Sequence, residues 1–219
     1  VWSTMYISIF LVPIIFQLTC AEALRQVFYM YAMTSLQANV ITLVLILPLA
    51  QFQHMEDVAW VSMLGTLGML LAVVVVLAKL GIMVWQQQAG TAPPPPTHAV
   101  GAQSFQAALV AVMDVLFCYS GQPNWWRMIT SMENRTHFAA SSSLAITFMT
   151  AFYACVAGVG YWALGDSLDL TKPLTSLLPA DVWTSIMNAG LFLHCLFAYQ
   201  INVNVWASSI LEVCAPAYC

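Results

Sequence analysis

Long runs of apolar residues, separated by short polar joints, divide this sequence into about six segments. An α-helix needs roughly 20 predominantly apolar residues to cross the hydrocarbon layer of a bilayer. The pattern predicts membrane-spanning helices over residues 1–24, 33–50, 60–85, 105–132, 139–164 and 182–211. The second is short unless it begins at Tyr29. We therefore expect an all-α integral membrane protein in which residues 1–219 form a single transmembrane domain.

The composition agrees with a membrane protein and disfavours a soluble domain. Hydrophobic residues make up 61% of the chain and charged residues only 6%, whereas a soluble domain carries about 25% charged residues. The net charge of -4 argues against a nucleic-acid partner. Six cysteines without C-x-x-C spacing favour small buried side chains over a zinc site or a disulfide framework. Because the sequence starts inside an apolar run without a methionine, we expect a fragment of a longer multi-pass protein.

The fourth segment carries an acid and a helix break inside an apolar run. Asp114 is followed by Gly121 and Pro123, which predict an interruption near residues 120–123. Hydrocarbon has no water to satisfy freed backbone groups, so a broken helix survives there only when protein surrounds it or when it lines a wet cavity. An interrupted helix near an ionisable residue is typical of a transporter's binding site.

The residues around this break are candidates for substrate binding. Ser120, Gly121 and Gln122 can present backbone N–H and C=O groups to a zwitterionic ligand, and the following half-helix offers its positive end to a carboxylate. A structural kink is the alternative reading. Phe117 and Tyr119 either line a pocket for the ligand's side chain or pack between helices.

Three ionisable residues within apolar runs have two readings each. Asp114 suits proton uptake and release, or is a helix-end acid bonded to nearby polar groups. His194 titrates near physiological pH and suits proton coupling, or is a neutral hydrogen-bonding residue. Lys79 either extends its ammonium to the membrane interface or acts as an internal counter-ion.

The last segment carries a polar row on one helical face. Gln200, Asn204 and Ser208 recur every four residues, and such a row either lines the transport path or bonds a neighbouring helix. If it lines the path, we expect it to face residues 120–122 across a cavity. Gln17 and Thr19 are weaker polar candidates in the first segment. Between the third and fourth segments, the prolines within residues 86–103 predict an extended, non-helical loop.

Four motifs resemble segments of the amino acid/auxin permease family. The fourth segment is similar to the family's G-D-I-A-F-A-Y-S, the end of the fifth to its G-Y-W-x-F-G-N, and the sixth to its H-x-x-G-A/S-Y-Q. The joint before the third segment resembles a short proline-containing joint of the family. Along the chain, the four motifs follow the same order as in the family. They lie at residues 47–54, 114–120, 160–166 and 194–200.

This resemblance implies a function and a fold. It implies the five-plus-five inverted-repeat fold of the amino acid-polyamine-organocation superfamily, with these segments as helices three to eight. The expected activity is secondary-active transport of an amino acid by alternating access, coupled to protons, with Na⁺ as the alternative coupling ion, and without an enzymatic reaction, a metal site or a cofactor. An auxin-type importer and a transporter-derived structural subunit without transport are the alternatives. The expected partners are lipid and further helices of the same or a longer chain, in the plasma membrane or an internal membrane.

Overall fold

A computed structural model describes residues 2–49, 55–98, 104–119, 125–168 and 172–214. These residues form α-helices, short 3₁₀ turns and connecting segments, and they contain no β-strand. The α-helices are α1 (Trp2–Val27), α2 (Ser35–Leu49), α3 (Met55–Gln88), α4 (Phe105–Cys118), α5 (Trp125–Ser131), α6 (Phe138–Leu164) and α7 (Val182–Cys214).

The helices have the length and composition of membrane spans. Within the described residues, α1, α3, α6 and α7 are long and apolar enough to cross a bilayer, and α2 and α4 are shorter apolar helices. The prediction of an all-helical membrane protein is confirmed. In the fourth predicted segment, α4 ends at Cys118 and α5 begins at Trp125. The predicted break at 120–123 lies outside the described residues.

Two helix boundaries can be compared with the sequence-based expectation. α2 lies within the predicted segment 33–50 and begins at Ser35, so the longer alternative from Tyr29 is not adopted, because Thr34 and Gln37 form a reciprocal capping box. The Gln37 N–H donates to Thr34 Oγ1 over 3.3 Å, and the Thr34 N–H donates to Gln37 Oε1 over 2.9 Å. The prediction of a non-helical segment from residue 86 was wrong for its first three residues. α3 continues to Gln88 and is terminated by Gly90, whose φ of 73° suits a residue that follows a helix.

The chain divides into two compact units. The first unit comprises residues 1–79 and 169–219, and the second comprises residues 80–168. α3 therefore begins in the first unit and ends in the second. Each unit has its own internal contacts and is described separately below.

The core of the first unit lies where α1, α2 and α7 pack together. Cys20 of α1, Ile46 of α2 and Cys195 and Leu196 of α7 are buried in one cluster. The thiols of Cys20 and Cys195 hydrogen-bond each other, and the Cys20 thiol also lies 3.7 Å from the Phe192 carbonyl oxygen. The expectation of buried cysteines is confirmed for this pair. It was wrong for three others, because the side chains at 118, 155 and 214 are exposed on their helices.

α3 and α7 meet at glycines. A Cβ added at Gly68 would lie 2.7 Å from the Gly190 carbonyl oxygen, and one added at Gly190 would lie 2.5 Å from the Gly68 carbonyl oxygen. Three residues earlier on α3, a Cβ at Gly65 would lie 3.0 Å from the ring of Phe197. The two backbones are thus in direct contact, a type of crossing that only small residues permit in membrane helices.

The second unit contains the last turns of α3, the proline segment, α4, α5 and α6. α4 has no buried residue, and most of α6 is exposed within the unit. α4 contacts α6 through Tyr119, whose hydroxyl lies 2.8 Å from Thr150 Oγ1 and whose ring meets Tyr153 edge-on at 5.9 Å. α6 ends at Gly165, whose φ is 53°.

The glycine contact predicts a difference between two substitutions on one helix. Gly68→Ala should destabilise the protein by about 1 to 3 kcal/mol, because the added methyl group collides with the backbone of α7. Gly81→Ala should be neutral or stabilising by up to about 1 kcal/mol, since a Cβ there meets nothing within 4 Å and alanine favours helix. Thermal unfolding midpoints in detergent measure both, and equal midpoints would contradict the crossing.

Candidate functional site

A cavity of about 370 Å³ lies in the first unit between α1, α2 and α7. Its wall is mainly apolar and carries one amide and one phenol. The lining side chains are Phe10, Pro13, Ile14 and Gln17 from α1, Leu43 from α2, and Tyr199, Val203 and Trp206 from α7. The rings of Phe10 and Trp206 are 5.9 Å apart and join the two long helices beside the cavity.

Gln17 is the polar residue that α1 contributes to this wall. Its Nε2 donates to the Asn39 carbonyl oxygen over 3.1 Å and so ties α1 to α2. Its Oε1 is buried and has no hydrogen-bond partner among the described residues. A buried acceptor without a donor is costly, and a ligand N–H or O–H would remove that cost.

The residues of α7 that line this cavity differ from the predicted polar row. Tyr199, Val203 and Trp206 follow an i, i+4, i+7 spacing and therefore share one face. The predicted polar residues Gln200 and Asn204 lie about 100° further around the helix. The signal that marks the cavity is the apolar and aromatic stripe beside the polar row, and it looks like ordinary helix packing in a sequence.

The polar row of α7 is at least partly buried. Gln200 is 3% exposed and Asn204 is half-buried. The Ser208 side chain lies outside the described part. Asn202, which points elsewhere, donates its Nδ2 to the Ala198 carbonyl oxygen of its own helix over 2.7 Å. The two predicted binding residues of this helix therefore share a shielded face in the first unit.

His194 lies at the crossing of α3 and α7. Its Nδ1 is 3.2 Å from the Gly65 carbonyl oxygen, a distance at which a protonated Nδ1 donates to that oxygen. The Gly65 crossing brings the two backbones close enough for this bond, since a Cβ at that glycine would lie 3.5 Å from the His194 Cα. This geometry fits the hydrogen-bonding reading of His194.

The other predicted site residues belong to the second unit. Asp114 is exposed on α4, and no hydrogen bond or ion pair joins its carboxylate to a residue that the structure describes. Phe117 is also exposed. Tyr119 packs between α4 and α6, which was one of its two predicted roles. Ser120, Gly121 and Gln122 lie outside the described residues, and so does the predicted approach of the α7 polar row to them.

Lys79 takes part in a polar cluster at the start of α7. Its Nζ is 2.7 Å from Asp181 Oδ2, 2.7 Å from Thr184 Oγ1 and 3.0 Å from the Pro179 carbonyl oxygen. The Lys79 side chain is 13% exposed, so the counter-ion reading fits better than an ammonium extended to the interface. Asp181 could not be predicted as the partner of Lys79, because the two residues are about 100 positions apart in the chain.

Asp181 has two structural roles. It caps α7, since its Oδ1 accepts the Thr184 backbone N–H over 2.8 Å. The Lys79 ammonium, followed by this N–H group, lowers the pKa of the Asp181 carboxyl from 3.8 to about 2. The carboxylate therefore stays charged over the whole physiological pH range.

Together these features define a polytopic α-helical membrane protein with a small, mainly apolar cavity between its long helices. A family model described as transmembrane amino acid transporter protein matches residues 1–217, so the chain belongs to that family. The predicted membership of the amino acid permeases is confirmed.

A curated relative supports the same family. The chain is similar to the protein named Amino acid transporter AVT1J of Arabidopsis thaliana, with 33% identity over 79 residues. That match covers 33% of this chain and 18% of the relative. No solved structure matches the chain.

The ion pair at α7 predicts a specific pH dependence of stability. Asp181→Asn should lower the unfolding midpoint between pH 5 and 8, because asparagine keeps the cap but removes the charge that faces Lys79. Since the folded pKa is lowered, the advantage of the wild type is present above pH 3.8 and disappears as the pH falls towards about 2.

The matched control is Glu133→Gln, which changes an exposed acid without an ion pair among the described residues. It should leave the midpoint nearly unchanged at every pH. Equal effects of the two substitutions, or a wild-type advantage that is as large at pH 2 as at pH 6, would contradict the assigned pair.

Proposed function

We propose that this protein carries amino acids across a membrane as a secondary-active, proton-coupled symporter that works by alternating access. The observation that carries the proposal is the cavity between α1, α2 and α7 in a chain of the amino acid transporter family. The proposal includes the five-plus-five inverted-repeat fold, with the six apolar segments as helices three to eight. The membrane is the plasma membrane or an internal one.

The cavity's chemistry suits the side chain of an amino acid. Its volume of about 370 Å³ falls in the lower part of the range for small-molecule sites, about 300 to 1,000 Å³. An apolar wall with few polar groups favours a hydrophobic or aromatic side chain. Gln17 and Tyr199 are the residues of this wall that supply an amide and a hydroxyl group to the ligand in this proposal.

The charged backbone of an amino acid requires a different environment. In this proposal the carboxylate and ammonium bind Ser120, Gly121 and Gln122, because backbone N–H and C=O groups at the interruption that the sequence predicts would match both charges. Phe117 and Tyr119 of the same segment, and Gln200 and Asn204 of α7, are the further binding residues that the sequence predicts.

Asp114 is the preferred proton carrier. Its carboxylate lies on an apolar helix without a hydrogen bond or ion pair to a described residue, and ionisable residues within membrane helices often form proton pathways. His194 is the second candidate. Its bond to the Gly65 carbonyl holds a proton at Nδ1 and leaves only Nε2 for exchange. Na⁺ is the alternative coupling ion.

The polar row on α7 provides a direct test of the transport path. Asn204→Leu in the protein expressed at the cell surface or in its native membrane should raise the apparent KM for amino acid uptake at least about fivefold. An apolar group there leaves polar ligand atoms unpaired, at a cost of about 1 to 3 kcal/mol. Radiolabelled uptake at matched expression measures the effect.

Asn202→Leu is the matched control on the same helix. The side-chain amide of Asn202 donates a hydrogen bond to a backbone carbonyl of its own helix. The loss of this amide should therefore change uptake much less than the loss of the Asn204 amide. Equal losses from both variants, or a loss only from Asn202→Leu, would show that the wrong face of α7 has been assigned to the path.

A further inference from the structure

A second cavity, of about 250 Å³, lies in the second unit between the end of α3, the proline segment (residues 93–98) and the end of α6. It shares no lining residue with the cavity between α1, α2 and α7. The lining is uncharged and combines an aromatic ring and two prolines with two amides and one hydroxyl group. The lining side chains are Val84, Gln87 and Gln88 from α3, Pro94, Pro95 and Thr97 from the proline segment, and Trp162 from α6.

Hydrogen bonds and one glycine hold the walls of this cavity together. The Asp166 N–H donates to the Pro96 carbonyl oxygen over 3.0 Å. Gln87 Nε2 donates to the Ala163 carbonyl oxygen over 2.8 Å and so ties α3 to α6. Gly165 permits the close approach, because a Cβ added there would collide with the Pro96 carbonyl oxygen. The cavity is therefore formed before a ligand arrives, which lowers the entropic cost of binding.

Three side chains of the lining are not engaged by the part of the protein that the structure describes. Gln88 and Thr97 make no side-chain hydrogen bond there, and the Trp162 ring meets no other aromatic ring. Trp162 is 59% exposed, although it is the largest side chain of the lining. An amide, a hydroxyl group and an aromatic face are thus available together at one site.

The chemistry of the lining suits a neutral ligand that has both an apolar face and hydroxyl groups. A charged ligand would lose hydration without meeting an opposite charge in the lining. A purely apolar ligand would exclude water from the polar groups without replacing their hydrogen bonds. The pyranose ring of a sugar meets both requirements. Its C–H face packs on an aromatic ring, and its hydroxyl groups donate and accept hydrogen bonds as amides do.

We propose that this cavity binds the pyranose ring of a neutral sugar. The ring stacks on Trp162, while Gln88 and Thr97 exchange hydrogen bonds with its hydroxyl groups. Val84 and the prolines supply the rest of the apolar wall. The apolar spans of α3 and of the α6 region end at Gln88 and Ser167, so the cavity lies where both leave the membrane. Two sources share this chemistry, namely the headgroup of a glycolipid and a free sugar.

Photo-crosslinking of the purified protein in phosphatidylcholine nanodiscs, free of sugar-based detergent, tests the proposal without any measurement of transport. Two diazirine-labelled probes separate the sources, a β-glucosyl diacylglycerol in the bilayer and methyl β-glucoside in solution. Mass spectrometry should find the adduct on the peptide that contains residues 84–97, and an excess of unlabelled probe should displace it. An adduct with the lipid probe alone supports a glycolipid headgroup, and an adduct with the soluble probe supports a site for free sugar.

Trp162→Ala and Trp183→Ala form a matched pair, because the two rings are 59% and 63% exposed. At a probe concentration below saturation, Trp162→Ala should lower the adduct yield on the 84–97 peptide about two- to tenfold, the effect of one lost aromatic contact. Trp183→Ala, in α7, should leave the yield unchanged. Gln88→Leu should lower it about two- to tenfold, because it removes a hydrogen-bonding amide. No adduct with either probe, or equal losses from the two tryptophan variants, would overturn the proposal.

Discussion

The structure depends on how helices associate within a lipid bilayer, whose hydrocarbon chains are as apolar as the side chains of the helices. In hydrocarbon, the hydrophobic effect does not drive two apolar helices together. Their association therefore relies on close backbone contact and on polar groups that hydrogen-bond to each other. The first unit uses both. Gly68 and Gly190 bring α3 and α7 into backbone contact, and Lys79 and Asp181 join the same two helices where α7 begins. These contacts fix the position of the helix that carries most of the candidate site.

α7 is therefore held along its length by different kinds of contact. α3 contacts its first half through glycines and the ion pair, while α1 contacts its middle through the buried Cys20 and Cys195 thiols. Further along, the cavity lies between α1 and α7, and Tyr199 and Trp206 line it. A candidate site between helices that are held by contacts elsewhere along their length has a well-defined geometry.

The apolar pattern of the sequence is sufficient to predict the helices but not their contacts. Hydrophobic runs, the Pro-rich joint and the family motifs point to an all-helical membrane protein, because bilayer thickness and backbone hydrogen bonding allow few alternatives. The pairing of Lys79 with Asp181 was not predictable, since it joins residues that are distant in sequence. The cavity face of α7 was missed because aromatic residues in a membrane helix usually signal packing. Tyr119, for which the sequence left both a pocket and helix packing open, packs against Tyr153.

The central claim is that this protein couples the transport of an amino acid to the movement of protons. Uptake by the purified protein in liposomes tests it most directly. Radiolabelled hydrophobic amino acids should accumulate when the outside is acidic, and a protonophore should abolish the accumulation. Asp114→Asn should transport without responding to the gradient. Accumulation that ignores the pH gradient in the wild type, or no uptake by a correctly folded protein, would contradict the account.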